Sequence, residues 1–211
     1  MFKRNQIEEA IAHVFEPGLA KPSSEMRTRV KRLLETDRGL GRNKRSAHPE
    51  SANFAFYSMD EPGRGVENWF SGYEAFALLI GLRLMRLDWP QGLAVAVLRR
   101  VKPELKKHHA RILTQDPAVL SDEQRRQRAK PGDLDVDNPD PVFLAINSTD
   151  RKDRSGSNPA AICRGQNELM RFIKAQGVGQ TCTVLELGNS VHALSSALAK
   201  TTPRKRGRGS Q

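Results

Sequence analysis

The chain has 211 residues, with 35 Lys and Arg against 24 Asp and Glu, a net charge of +11 and 37% hydrophobic content. That balance excludes a wholly disordered chain and leaves enough length to bury a core without staples. Positive charge in this excess concentrates polyanions around a protein, nucleic acids first among them.

The longest apolar run, residues 75–82, stops at Arg83, well short of the about 20 residues that cross a bilayer, so no membrane partner is expected. Lys3 and Arg4 are followed by no apolar stretch, so no secretory leader is read. Cys163 and Cys182 lack CxxC spacing and have no histidine close by in sequence. They fit two buried thiols in a reducing cytoplasm rather than a disulfide or metal framework.

In chain order, Ile7, Ile11 and Val14 or Phe15 recur at helical spacing and predict a helix over 5–15, with Asn5 as its cap and Pro17 and Gly18 at its end. Ser23 or Ser24 caps a second helix to about Asp37. Its apolar face is Met26, Val30, Leu33 and Leu34, and Arg27, Arg29, Lys31 and Arg32 lie off that face. Residues 39–51 read as an exposed loop carrying Arg42, Lys44 and Arg45. Phe54, Phe56 and Ser58 then alternate, residues 60–65 supply turn chemistry, and 66–70 are rich in strand formers, which predicts a hairpin with Arg64 at its tip.

A strongly apolar helix follows over 72–87, with Tyr73, Phe76, Ala77, Ile80, Leu84 and Leu87 on its stripe. After a turn at Trp89, Pro90 and Gly92, another helix carries Ala94, Val97, Leu98, Val101 and Leu105. Pro103 should kink it or split off a short last piece to about Leu113. Trp69, Trp89, Phe70 and Phe76 read as core residues, since aromatics at such junctions are usually packing anchors. Aromatics make up 6% of the chain, which argues against a single-strand stacking surface as the main device.

Residues 114–140 form a polar connector with three prolines. Residues 141–200 regain pattern as strand (142–146), strand (160–164), helix (168–176), strand (181–187) and helix (191–199), a small unit suited to pairing or ligand sensing. Residues 201–211 form a disordered basic tail in which Arg204, Lys205 and Arg206 are free to lie along phosphates. The expected fold class is therefore α+β and mainly helical, with a nucleic-acid-binding domain over 1–113 and a small α+β unit over 141–200.

The segments FKRNQIEEAI, SSEMRTRVKRLLETDRGLG, NFAFYSMDEPGRGVENWF and GYEAFALLIGLRLMRLDWPQGLAVAVLRR follow one another as helix, helix, hairpin and helix pair. In that order the N-terminal half resembles a MerR-type winged helix-turn-helix DNA-binding domain. The resemblance implies that the second helix enters the major groove and the hairpin lies on the backbone as a wing. The DNA-contacting set it implies is Arg27, Arg29, Lys31, Arg32 and Arg64. The loop cations Arg42, Lys44 and Arg45 join these on charge, because residues 27–45 hold eight Lys and Arg against Glu35 and Asp37. No heptad helix follows, so the family's coiled-coil dimer is not implied, although a homodimer stays open.

The function expected is a cytoplasmic DNA-binding transcriptional regulator or DNA-associated accessory factor with double-stranded DNA as partner. An adaptor that binds an acidic protein is the alternative. No enzyme, cofactor or metal site is expected. His108 and His109 point about 100° apart on a helix among Lys106, Lys107 and Arg111, a setting that suits a solvated basic face better than a cation site. His13 and His192 have no matched ligand spacing. Asp133, Asp135, Asp137 and Asp140 lack the Gly and Glu of a calcium loop, and no phosphate-cradling or nucleophile motif occurs.

Overall fold

The computed structural model describes residues 1–16, 18, 21–58, 68–115, 141–148, 159–175 and 181–203. Within them the protein is mainly helical, with small antiparallel sheets. The chain divides into two compact units, Met1–Arg99 with Ala193–Gln211, and Arg100–His192. The divisions therefore fall inside two helices, whereas composition placed the boundary in the polar connector.

The first unit opens with β1 (Phe2–Lys3), which leads straight into α1 (Arg4–Phe15). The expected cap at Asn5 moves to Lys3, whose backbone N–H donates to the buried Gln6 side chain at 3.0 Å. Then come α2 (Ser24–Gly39), capped by the Ser23 hydroxyl accepting from the Met26 N–H, and the one-turn α3 (Pro49–Ala52). Strand β2 (Trp69–Phe70) and α4 (Gly72–Arg86) follow. A capping box starts α4: the Ser71 hydroxyl accepts from the Glu74 N–H, and the Glu74 carboxylate accepts from the Ser71 N–H at 2.6 Å. Glu74 is buried, and its other oxygen accepts from the Ser58 hydroxyl.

Residues of α4 are buried almost all round, from Tyr73 through Leu82, as expected of a central helix rather than an amphipathic surface one. It packs with α1 and α2. Gly81 makes the closest approach possible, because a Cβ there would stand 3.3 Å from each of Leu33 of α2, Phe56 and Leu98. Leu87, expected on the stripe, is instead exposed at the helix end. There Asp88 takes a left-handed φ of 61°, and the Asp88 and Trp89 N–H groups return to Met85 and Leu84. This is a Schellman closure, and it buries Trp89.

The next helix, α5 (Gln91–Ile112), runs continuously through Pro103, so the expected break does not occur. Proline removes one N–H and crowds the carbonyl four residues back. Apolar contacts outweigh that loss, since Val101, Leu105 and Ile112 on either side are all buried.

The predicted hairpin is not formed by the described residues. Phe54, Ala55, Phe56 and Tyr57 are four consecutive buried residues with no strand pairing. Trp69 and Phe70 pair with the N-terminus instead, Phe2 opposite Phe70 and Lys3 opposite Trp69. Arg64 and the turn lie outside the described residues.

What holds 54–57 in place of a partner strand is one carboxylate. Asp37 of α2 accepts from the Ala55 N–H at 3.0 Å and from the Phe56 N–H at 2.9 Å. Its countercharge is Arg99 of α5, whose Nε lies 2.7 Å from Asp37 Oδ1, both side chains being at most 3% exposed. The same guanidinium donates to the backbone carbonyls of Asp37, Gly41 and Glu50.

In the second unit β3 (Val142–Ser148) is the centre of a three-stranded antiparallel sheet ordered β4-β3-β5, with β4 (Ala160–Arg164) and β5 (Thr181–Glu186) at the edges. Val142, Leu144 and Ile146 share one face and are buried, and Ala145 and Asn147 on the other face are buried as well. The helix α6 (Gly165–Ala175) packs on β3 and β4. The last helix, α7 (Gly188–Ala199), is capped by Glu186, whose carboxylate accepts from the Gly188 and Asn189 N–H groups. Cys163 is buried, Cys182 is half-buried, and both are free thiols.

Removing one partner of a buried, hydrogen-bonded ion pair leaves the other charge uncompensated, at a cost of about 3–5 kcal/mol. Asp37→Ala should lose about that much in urea denaturation. Arg99→Lys should not restore stability, because a single ammonium cannot reproduce the guanidinium fork. A loss below about 1 kcal/mol in Asp37→Ala would show that this pair does not organise the unit.

Candidate nucleic-acid interface

Helix α2 turns Met26, Val30, Leu33, Leu34 and Asp37 inward, and its remaining positions set where the cations lie. Arg27 and Lys31, one turn apart, flank one side of the apolar stripe. Arg29 and Arg32, three apart, flank the other. Arg27, Lys31 and Arg32 are exposed and Arg29 is half-buried. Two of the four are held within the helix, Arg29 by Glu25 and Lys31 by Glu35 at 3.6 Å. The first pair places Glu four residues N-terminal to the cation, the favoured direction, and the second has the reverse order. Arg27 and Arg32 form no ion pair among the described residues.

Beyond α2 the chain enters a loop fixed at both ends by Arg99, through Gly41 and Glu50. Gly41 has a φ of 61°, a conformation that a side chain would strain. Inside the loop the Asn43 N–H donates to the Ser51 carbonyl, and the Arg45 N–H donates to the Asn43 side chain in an Asx turn. The outcome differs for its three cations. Arg42 is half-buried with its guanidinium 5.1 Å from the Phe54 ring, and Arg99 stands over the same ring at 5.4 Å. Lys44 and Arg45 are exposed. Arg38 stacks over Tyr57 at 4.7 Å.

The four α2 cations and the three loop cations thus fall on two successive elements of one unit. Asp37, counted as an acid in the sequence, is consumed internally by Arg99. The eight Lys and Arg of residues 27–45 therefore face one acid that reaches solvent, Glu35. Arg64, Arg204, Lys205 and Arg206 lie outside the described residues. The connection between α1 and α2, residues 16–23, is longer than the tight turn of a helix-turn-helix.

Three side chains depart from expectation. Trp69 is not a core residue: it is 48% exposed, with the Lys3 ammonium 5.3 Å from its ring centre, while Trp89, Phe70 and Phe76 are buried as read. His108 and His109 do not form a solvated face either. His109 is buried and His108 half-buried. The signal was present in the sequence, since Val101, Leu105, His109 and Ile112 continue one stripe of α5 at steps of four, four and three. Burial pulls the His109 imidazole down to about 4. Burial, with Arg111 and Lys107 beside it, also lowers that of His108. No group of three or more His, Cys, Asp or Glu side chains fit to hold a metal occurs among the described residues. No helix there is long and apolar enough to cross a membrane.

The chain matches no protein-family model, no curated protein and no solved structure.

Two outcomes are expected. The triple variant Arg27→Glu/Arg29→Glu/Arg32→Glu should keep cooperative unfolding within about 1 kcal/mol of the parent, because all three lie off the apolar stripe; loss of cooperativity would show that α2 packs differently. Separately, a histidine whose folded value lies below its unfolded one binds its proton more weakly when folded. Stability should then fall as pH drops from about 6.5 towards 4. His109→Leu should flatten that slope in urea titrations, and an unchanged slope would place His109 in water.

Proposed function

We propose that the protein binds nucleic acid, duplex DNA foremost, through the exposed face of α2 and the loop that follows it. The observation that carries the reading is the charge arrangement of residues 27–45. Their cations surround a single solvent-facing acid and stand on a frame fixed by a buried ion pair. A rigid cationic surface meets a phosphate backbone without first ordering its own chain, which lowers the cost of association.

Within that surface the roles divide. Arg27 and Arg32 carry no competing carboxylate among the described residues and are the foremost phosphate contacts. Lys44 and Arg45 extend the contact along the loop. Arg29 and Lys31 exchange a surface carboxylate worth about 0.5 kcal/mol for a phosphate. Arg42 and Arg38, stacked on aromatic rings, position the loop more than they reach outward. The second contact beside the helix is then the 41–48 loop and not a paired wing. A regulator of transcription or a DNA-associated accessory factor is the role this suits.

Fluorescence anisotropy of a labelled duplex of about 30 base pairs with random sequence, titrated at several salt concentrations, tests it. The logarithm of affinity should fall linearly with the logarithm of salt, by about 0.9 per phosphate neutralised. The triple Arg27→Glu/Arg32→Glu/Lys44→Glu should reduce the slope by about three such contacts. Folded protein that binds no duplex at low salt would sink the reading and favour an acidic protein as partner.

A further inference from the structure

The two tryptophans have opposite fates. Trp89 is closed into the core by the turn after α4. Trp69 belongs to β2, and its backbone is fixed by pairing with Lys3 and by Phe70, which is fully buried one residue on. Among the described residues Trp69 is the only exposed Phe, Trp or Tyr. A large aromatic held at 48% exposure on an ordered strand gains nothing for folding from that exposure. Its cross-strand neighbour places an ammonium over the ring, and the next residue, Arg4, is exposed and pairs with Glu8. Ring and cation together match the two parts of an unpaired nucleotide, a flat base and a phosphate.

We propose that Trp69, with Lys3, is a stacking point for an unpaired base, so that the protein prefers nucleic acid that combines duplex with single-stranded or frayed segments. This rests on the reading that the basic face binds nucleic acid, and it adds the part of the ligand that the basic face alone does not distinguish. A base inside an intact duplex has both faces covered by its neighbours and offers the ring nothing, whereas an unstacked base offers a full π-face. One aromatic step suits a chain with few aromatics: it marks a junction or an end rather than coating a long single strand. Trp69 carries no role in the salt-dependent duplex contact, which belongs to α2 and its loop.

The difference between the tryptophans supplies the readout. Intrinsic fluorescence of the full chain should be quenched by a 20-nucleotide oligothymidylate and much less by a blunt 20-base-pair duplex, because Trp89 is sealed from either. Trp69→Phe should abolish the quenching while keeping most of the affinity for the oligonucleotide. Trp69→Ala should weaken oligonucleotide binding about tenfold, equivalent to about 1.4 kcal/mol, and leave duplex anisotropy within about twofold of the parent. Duplex binding without quenching by oligothymidylate, or equal oligonucleotide affinity in Trp69→Ala, would overturn the stacking point alone. Failure of both ligands to bind at low salt would overturn it together with the reading beneath it.

Discussion

The buried pair of Asp37 and Arg99 is the interaction on which the first unit depends. Taking two charges out of water costs several kcal/mol each, and their attraction offsets this only when the remaining donors and acceptors are also satisfied. Here they are satisfied from several directions. The carboxylate takes two backbone N–H groups from 55–56, and the guanidinium donates to the carbonyls of 37, 41 and 50. Five stretches of chain therefore meet at one ion pair: the end of α2, the start and end of the loop, the buried run 54–57, and α5. The loop needs no secondary structure of its own because its termini are pinned by a side chain.

The same pair explains why the local pattern signals a hairpin that the described residues do not form. Alternating Phe54, Phe56 and Ser58 with turn residues behind them is the ordinary signal of a strand. A strand, however, is defined by where its N–H groups go, and these go to a carboxylate 18 and 19 residues earlier. Nothing in the local pattern marks Asp37 as their acceptor. Helices α1, α2, α4 and α5 were legible because their apolar periodicity is carried within each segment. The three strands of the second unit were legible for a similar reason, β4 to the residue. Continuity through Pro103 was not legible, since it depends on packing that outweighs one missing hydrogen bond. Of the candidate site, the cations of α2 could be read as lying off its apolar stripe. That Asp37 is withdrawn from the surface, and that Arg42 is stacked while Lys44 and Arg45 are exposed, could not.

Trp69 shows a limit of residue type as a guide. Aromatic residues beside junctions are usually core, and three of the four read that way are buried. The fourth is exposed because strand pairing puts neighbours on opposite faces: with Phe70 turned fully inward, Trp69 must turn outward. The two-residue ladder with Phe2 and Lys3 sets that direction, and no pattern within 69–70 reveals that its partner is the N-terminus.

Burial and exposure divide the charged residues of α2 and α5 into two kinds with different consequences. Arg99 and Asp37 are committed, and exchanging either for another ligand would expose a desolvated partner. Arg29 and Lys31 are held by exposed carboxylates one turn away, in pairs weak enough for salt or a phosphate to replace. Such an arrangement keeps the isolated helix from concentrating bare positive charge while leaving its cations available when a stronger anion arrives. The strain of like charges at close range falls on the exposed set, where water and counterions screen it, and not on the frame. A surface built this way can exchange its counterions without changing the fold beneath it, because its exposed charges are not the charges that hold the unit together.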